Sequence, residues 1–185
     1  MTRPLTTRPP ALIAGAASNA ALSLLLSLSP PPFTPSQPAD QGLIPGRATL
    51  VVCPVSLVGQ WVSEAHNRLA AGSRLSVYQY HGGSRSGNMS LISSHDIVVT
   101  TYGIAQRALA AKERGPSLAD VKWWRIVLDE SHTIKGKRTD TLSHLASDRR
   151  WCVTGTPICT NSGDLMGQMA FAGVSQIELP LFTPL

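Results

Sequence analysis

Residues 123–132 read WWRIVLDESH, an apolar and β-branched run that ends abruptly in two carboxylates. Because residues 126–128 do not alternate with polar residues, the run predicts a buried strand of a parallel sheet. Buried acids are costly unless they are paired or bound to a metal. Asp129 and Glu130 therefore indicate a site at the carboxyl edge of a sheet, where open α/β sheets bind ligands. On this pattern alone, a strand that simply exits into a polar loop is an equal alternative.

A second short apolar strand follows downstream, where residues 150–158 read RWCVTGTPI. It ends in Thr154, Gly155 and Thr156. The combination of DESH, the following IK and RWCVTGTPI resembles motifs II and III of the Swi/Snf-type, chromatin-remodelling ATPases of helicase superfamily two. The combination and its spacing are far more specific than either piece alone. Within that family, the WWRIVLDE lead-in is most similar to the subgroup of the helicase-like transcription factor and related DNA-repair translocases.

The resemblance implies a role for each residue of these two motifs. Asp129 would bind the Mg²⁺ of MgATP, and Glu130 would orient the hydrolytic water. His132 would link the nucleotide site to motif III. The Thr-Gly-Thr turn at residues 154–156 would relay the nucleotide state to loops that contact DNA. ATP and Mg²⁺ are thus the implied cofactors.

Residues 49–54 read TLVVCP and predict a strand stopped by proline, after which Ser56 can cap a helix. Free backbone N–H groups at the start of that helix are suited to phosphate. Residues 50–61 resemble motif Ia of the same family, which touches the tracked DNA strand; the matching residues are Pro54, Ser56, Leu57, Gln60 and Trp61. For the Trp61 side chain itself, we favour a place in the core.

Residues 96–102 read DIVVTTY, a predicted strand with hydroxyls at its carboxyl end that matches motif Ib. The hydroxyls of Thr100 and Thr101 can donate to phosphate oxygens, which positions a nucleic-acid strand without reading its sequence. They can also cap the next helix, and both interpretations can hold together.

Composition limits the number of domains and the class of partner without specifying a function. The 185 residues suffice for one domain, the hydrophobic fraction of 43% supports a real core, and the net charge of +5 suits an anionic partner. Cys53, Cys152 and Cys159 form no CxxC pair or zinc-ligand pattern, so we interpret them as reduced thiols, the first two buried in strands.

The first 40 residues differ from the rest in being rich in Ser, Thr, Ala and Pro and poor in acids. They fit an organelle transit or secretory signal, a helix of the core domain, or a disordered segment. We expect no transmembrane span, because the apolar run is short and interrupted by polar residues. In the family, this position holds the phosphate-binding loop, yet residues 14–26 lack its Gly-Lys-Thr, as does the whole chain.

Strands and helices alternate along the chain, which predicts an α/β fold with a mostly parallel sheet and helices on both faces, the single RecA-like lobe of the family. We assign residues 48–175 to this lobe, residues 1–47 to a partly disordered leader with a candidate degenerate first helix, and residues 176–185 to a tail. Smaller predicted elements are a strand at 76–80, helices at 104–112, 139–147 and 163–171, and a cationic loop at 135–138.

The resemblance implies a partial lobe of an ATP-dependent translocase or chromatin remodeller that acts on double-stranded DNA, with nucleosomes as a further candidate partner. Full-length relatives would carry a second RecA-like lobe. Without Gly-Lys-Thr and that lobe, we expect the isolated chain to be ATPase-deficient. The alternative is a truncated, non-catalytic lobe that binds DNA or a partner. The expected location is the nucleus, or an organelle if residues 1–40 are a transit peptide.

Overall fold

A computed structural model describes residues 11–14 (backbone only), 42–69, 75–83, 85–110, 116–134, 137–158 and 163–173. The remainder of the predicted leader, the tail, and Lys135, Gly136 and Cys159 lie outside the described residues.

Parallel strands form the main sheet of the described chain. Their bounds are β1 Ala11–Ala14, β3 Thr49–Cys53, β4 Val77–Gln79, β5 Ile97–Thr101, β7 Arg125–Asp129 and β8 Arg150–Thr154. The strands lie in the order β1-β8-β7-β3-β5-β4 across the sheet, and every neighbouring pair is parallel. A small separate pair joins β2 (Ile44–Pro45) to β6 (Val121–Lys122).

Helices connect these strands and cover both faces of the sheet. Their bounds are α1 Val58–Leu69, α2 Met89–Ser93, α3 Tyr102–Ala110, α4 Lys137–Ser143 and α5 Gly163–Ala172. On one face, α1 packs on the sheet through a cluster that includes Val51, Trp61, Ala65, Val99 and Val127. On the other face, α3, α4 and α5 enclose a cluster that includes Leu50, Val52, Ala105, Leu142 and Phe171. The predicted fold class is therefore confirmed.

Several predicted boundaries and one predicted helix differ from the structure. Residues 11–14 form a strand that pairs with β8, where the apolar composition alone had also allowed a helix. α3 begins directly after β5, two residues earlier than predicted, and α4 spans Lys137–Ser143 instead of 139–147. Ser56 caps no helix: it lies inside a 3-10 turn, Val55–Leu57, that begins after Pro54 and has no side-chain cap.

Two expectations about single residues are confirmed in the interior. Trp61 is fully buried in the core, as are Cys53 and Cys152 in their strands. Burial, with the negative charge of Asp129, raises the pKa of Cys53 to about 12, and burial raises the pKa of Cys152 to about 12. Both thiols are therefore protonated at neutral pH. None of the described helices is long and apolar enough to cross a membrane.

Asp96 anchors the amino end of β5. Its carboxylate accepts bonds from the Arg47 guanidinium at 2.6 Å and from the Ser76 amide at 2.8 Å. Burial alone would raise the pKa of Asp96, but the Ser76 amide and the Arg47 guanidinium outweigh it and lower the pKa below its usual value.

Because the folded-state pKa of Asp96 lies below the unfolded one, ionised Asp96 stabilises the fold at neutral pH. This stability should be lost as the pH falls below about 4, the ordinary pKa of aspartate, and on through the lower folded-state pKa. Urea unfolding from pH 7 to pH 2 of the wild type and of Asp96→Asn measures it. The stability difference between the two proteins should shrink with acidification, and a constant difference would contradict the assignment.

Candidate functional site

The carboxyl ends of the central strands bring the predicted site residues to one edge of the sheet. Asp129 lies opposite Val153 in the register of β7 and β8, so Thr154 is the next residue along that edge. On the other side of β7, β3 ends in Cys53, which is paired with Thr101 of β5. The structure thus places the two acids and the Thr-Gly turn side by side.

Asp129 is a fully buried acid whose orientation is fixed by two donors. Trp61 Nε1 donates to its Oδ2 at 2.6 Å, and the backbone N–H of Glu130 donates to its Oδ1 at 3.0 Å. Burial raises the pKa of Asp129, with the charge of Glu130 adding to the effect and the bond from Trp61 opposing it. The fold therefore bears a cost for holding this carboxylate ionised, as is common at functional sites.

Tyr102 also supports this strand end, a role that the match to motif Ib did not indicate. Its hydroxyl donates to the backbone carbonyl of Asp129 at 2.7 Å. Burial is the main cause that raises the pKa of Tyr102, so the phenol stays protonated and remains a donor. A tyrosine that follows two threonines at a strand end was the available signal.

Glu130 turns the chain sharply out of the sheet. Its backbone is left-handed, with φ 51° and ψ 47°, and it leads into a 3-10 turn, Ser131–Thr133. Its Oε2 lies 3.2 Å from Nδ1 of His132 and 3.4 Å from the hydroxyl of Thr154. Its side chain is 32% exposed, so Glu130 supplies the accessible carboxylate of the edge.

His132 connects the two motifs through its ring. Its Nδ1 lies 2.9 Å from the Thr154 hydroxyl and 3.5 Å from that of Thr156. The Thr156 amide in turn donates to the Thr154 hydroxyl at 3.2 Å. Gly155, between the two threonines, is exposed. His132 is thus in direct contact with the two threonines matched to motif III.

Gln168 is a connecting residue that the sequence reasoning missed. It is almost fully buried on α5, accepts a bond from the Ser131 hydroxyl at 3.1 Å and donates to the Pro157 carbonyl at 2.7 Å. Its amide therefore joins the turn after Glu130 to the turn after Thr154. A glutamine among the apolar residues of the second half of this helix was the hint in the sequence.

The residues matched to motifs Ia and Ib differ in exposure. Ser56 and Gln60 are exposed and Pro54 is partly exposed, all at the turn into α1. Thr100 and Thr101 are buried, and the Thr100 hydroxyl donates to the Tyr80 carbonyl at 3.0 Å. Pro54, Ser56 and Gln60 of motif Ia thus reach the surface, whereas Thr100 uses its hydroxyl inside the fold.

The chemistry of the edge fits magnesium better than it fits a triphosphate. Mg²⁺ is usually held by one or two carboxylates together with water and substrate phosphates. Each oxygen of Asp129 has one donor and keeps a lone pair, and Glu130 adds a partly exposed carboxylate. The described residues contain no cluster of three or more metal-binding side chains. They also include no phosphate loop, since residues 15–18 lie outside them and the chain lacks Gly-Lys-Thr.

The left-handed backbone of Glu130 predicts a gain in stability on mutation. Left-handed conformations cost a non-glycine residue roughly 1–2 kcal/mol, which glycine avoids. We therefore expect Glu130→Gly to raise the free energy of unfolding by about 1 kcal/mol after the entropic cost of glycine. Glu130→Gln, which keeps the strain, is the matched control in urea unfolding. Equal stabilities for the two variants would show that the backbone is not strained.

Comparisons with known proteins agree with this geometry. The family model of the SNF2-related domain matches residues 11–179. The DNA repair protein RAD5A of Arabidopsis thaliana is 39% identical over 137 residues, which are 71% of this chain and 13% of that protein. The human helicase-like transcription factor is 35% identical over 128 residues, covering 68% of this chain and 13% of its own length. The chain therefore spans a small part of these relatives.

A solved structure shares the fold. The SWI2/SNF2 ATPase core of Sulfolobus solfataricus in complex with double-stranded DNA superposes with a TM-score of 0.56 and 26% identity, over 88% of this chain and 31% of that one. Its likeness supports the architecture, and the family match extends over nearly the whole sequence. This chain belongs to the SNF2-related domain family.

Proposed function

We propose that residues 48–175, together with the strand at residues 11–14 that pairs with β8, are the magnesium-nucleotide lobe of an ATP-dependent DNA translocase or chromatin remodeller, with the rest of residues 1–47 as leader and residues 176–185 as tail. The observation that carries the proposal is the contact between the Asp129–Glu130 pair and the His132–Thr154 pair at one sheet edge. Names of relatives such as DNA repair protein RAD5A support the DNA-directed role and a nuclear location.

Each residue at this edge of the sheet has a different proposed role, which follows from its geometry. Asp129, held by Trp61 and by the Glu130 amide, presents a fixed carboxylate suited to a divalent cation. Magnesium, when bound, neutralises charge that develops on phosphate oxygens. Glu130 is accessible and close to His132, so it can accept a hydrogen bond from a water and orient it. His132, Thr154 and Thr156 form a chain of polar contacts that can rearrange without moving the core.

Duplex DNA is the proposed partner of the surface at the carboxyl ends of β3 and β5, which lie on the other side of β7 from β8. Pro54, Ser56 and Gln60 lie at the surface where β3 turns into α1, and phosphate contacts of this kind position a nucleic acid without reading its sequence. Thr100 and Thr101 belong to the same proposed DNA region and support it from inside the fold. The net charge of +5 favours an anionic partner. Nucleosomes are a further candidate substrate of the complete enzyme.

The polypeptide of 185 residues is proposed to hydrolyse ATP only near background. It contains no Gly-Lys-Thr, and its relatives are several times longer than the part it matches. In phosphoryl transfer an arginine supplied from outside the lobe is worth roughly 10³–10⁵ in rate. Hydrolysis above background is therefore proposed only where a phosphate loop and such an arginine are supplied to these residues.

The test is metal binding that depends on Asp129. Because metal affinity follows ligand charge and geometry, Asp129→Asn should weaken Mn²⁺·ATP binding about tenfold or more. Electron paramagnetic resonance of free Mn²⁺ measures it. Asp148→Asn is the matched control, because Asp148 is an exposed acid beyond the opposite end of β8, ion-paired with Lys122 at 3.3 Å. Equal affinities for the wild type and Asp129→Asn would overturn the proposal.

The missing Gly-Lys-Thr favours a second candidate, a non-catalytic lobe that binds DNA or a protein partner. This candidate predicts salt-sensitive binding of duplex DNA, no binding of Mn²⁺·ATP that requires Asp129, and no turnover. Fluorescence anisotropy of labelled duplex DNA at two salt concentrations, beside a hydrolysis assay, separates the two. DNA-stimulated turnover that is lost in Asp129→Asn would contradict the expected inactivity of the isolated chain.

A further inference from the structure

The bond between Trp61 and Asp129 joins two parts of the molecule that are 68 residues apart in sequence. Both side chains are fully buried, so bulk water does not compete for the bond between the indole N–H and Oδ2 of the carboxylate. At 2.6 Å, the contact has the short length of hydrogen bonds to ionised acceptors, which are about twice as strong as neutral ones. Trp61 therefore selects one orientation of the Asp129 carboxylate.

Trp61 lies in the first turn of α1, which directly follows the 3-10 turn that carries Ser56. The 3-10 turn Val55–Leu57 runs without a break into α1, where Val58 and Trp61 face inward while Ser56 and Gln60 remain exposed. Backbone hydrogen bonds hold a helical turn as one rigid unit. A ligand that displaces the exposed side of this turn must therefore displace the indole as well.

The strands beneath the turn complete a closed path. β3 leads into the turn, and β3 pairs directly with β7, with Val52 opposite Leu128. β7 ends in Asp129, whose carboxylate returns to α1 through Trp61. The backbone hydrogen bonds between β3 and β7 hold these two strands in place. Movement of the turn is therefore transmitted to Asp129, at the edge of the sheet, through the indole–carboxylate bond.

On this geometry, and resting on the proposed function, we propose that Trp61 is a positioning residue that couples DNA contact at Ser56 and Gln60 to the cation-binding orientation of Asp129. Phosphate bound to the exposed turn shifts the indole, and the indole shifts the carboxylate. Coupling of this kind is reciprocal, so a cation at Asp129 changes the affinity for DNA by the same factor. Removal of the indole N–H uncouples the two events.

The proposed coupling can be followed through the nuclear magnetic resonance signal of the Trp61 indole N–H. The chain has four tryptophans, so ¹H–¹⁵N spectra contain four indole signals, and Trp61→Phe identifies its own by removing it. We expect this signal to move on addition of duplex DNA and on Asp129→Asn. The matched reference is Trp123, whose buried Nε1 donates to a neutral acceptor, the Leu118 carbonyl, at 3.0 Å, and which precedes the amino end of β7, at the end of that strand away from Asp129. Its signal should stay in place.

Metal affinity gives a second measurement on the same variant. Removing a residue that orients a metal ligand typically costs 10–100-fold in affinity, so Trp61→Phe should weaken Mn²⁺·ATP binding about tenfold. In the wild type, duplex DNA should change that affinity at least about threefold, and in Trp61→Phe it should change nothing. Ser56→Ala with Gln60→Ala, which leaves the core intact, should abolish both the DNA effect on affinity and the DNA-induced shift of the Trp61 signal.

The outcomes separate this inference from the proposed function. If Asp129→Asn does not weaken Mn²⁺·ATP binding, the proposed function fails and the coupling fails with it. If Asp129→Asn weakens binding but DNA leaves the Trp61 signal and the Mn²⁺·ATP affinity unchanged, the proposed function stands and Trp61 is only a packing residue. Far-ultraviolet circular dichroism tests whether Trp61→Phe is folded. If it is not, the Ser56→Ala, Gln60→Ala variant tests the coupling in its place.

Discussion

Replacing Arg150 with methionine is expected to lower the free energy of unfolding by roughly 3–5 kcal/mol, because several backbone carbonyls lose a charged donor at once. Its guanidinium donates to the carbonyl oxygens of Ser143 at 2.7 Å, Leu145 at 2.9 Å and Phe171 at 3.3 Å. Ser143 is the last residue of α4, and Phe171 lies in the last turn of α5. One side chain thus satisfies carbonyls at the carboxyl ends of two helices.

The physical reason for so large an effect is the combination of burial and charge. The last carbonyls of a helix lack partners within it and carry partial negative charge, so a cation there is favourable. Arg150 is partly buried, so the fold takes part of this cation out of water, and this burial lowers the pKa of Arg150. Methionine fills similar space without a donor, and lysine lacks the planar fork that reaches carbonyls in different directions.

Arg149 is the matched control, since its replacement removes the same charge at the adjacent position. Its guanidinium stacks 3.5 Å from the centre of the Trp124 ring, a contact worth about 0.5–1 kcal/mol at a partly exposed site. Urea unfolding followed by circular dichroism measures Arg150→Met and Arg149→Met side by side. If the two variants lose similar stability, Arg150 does not hold the two helix ends.

The sequence predicted the architecture because its strongest signals are local. Unbroken apolar runs at residues 126–128 and 151–153, each ending in polar residues, are sufficient to place two parallel strands with a shared carboxyl edge. Hence the adjacency of Asp129 and Thr154 followed from topology alone. The strand at residues 11–14 was missed because it becomes a strand only by pairing with β8, a tertiary contact.

The side-chain contacts that shape the site could not be predicted from the sequence. The bonds from Trp61 to Asp129 and from Gln168 to Ser131 and Pro157 depend on rotamers and on how α1 and α5 dock. An apolar indole on a buried helix face gives the same sequence signal whether or not its N–H has an acidic partner. Likewise, the hydroxyls of Thr100 and Thr101 fit either a surface contact or an internal bond, and for Thr100 the structure shows the internal one.

Gly167 marks the closest approach between α5 and the site. A Cβ at this position would lie 2.7 Å from the backbone carbonyl oxygen of Ile134 and 3.0 Å from the Thr139 hydroxyl. Ile134 directly follows the 3-10 turn that carries Ser131 and His132, and the carbonyl belongs to the backbone, which cannot rotate away. A methyl group here must push α5 from the turn.

We therefore expect Gly167→Ala to destabilise the protein by about 1–2 kcal/mol, since an overpacking cost of roughly 1–3 kcal/mol exceeds the helix propensity gained. Gly59→Ala is the matched control: Gly59 is also inside a helix, but a Cβ there meets nothing within 4 Å. That variant should gain about 0.5–1 kcal/mol.

Urea unfolding of both variants tests the expected opposite signs of the two changes in stability. Because Gln168 adjoins Gly167, displacement of α5 should also weaken its bonds to the Ser131 hydroxyl and the Pro157 carbonyl, so exchange of the Gln168 side-chain amide protons with solvent should quicken in Gly167→Ala and not in Gly59→Ala. Stabilisation by both alanines would mean that α5 is not held against the turn at this distance.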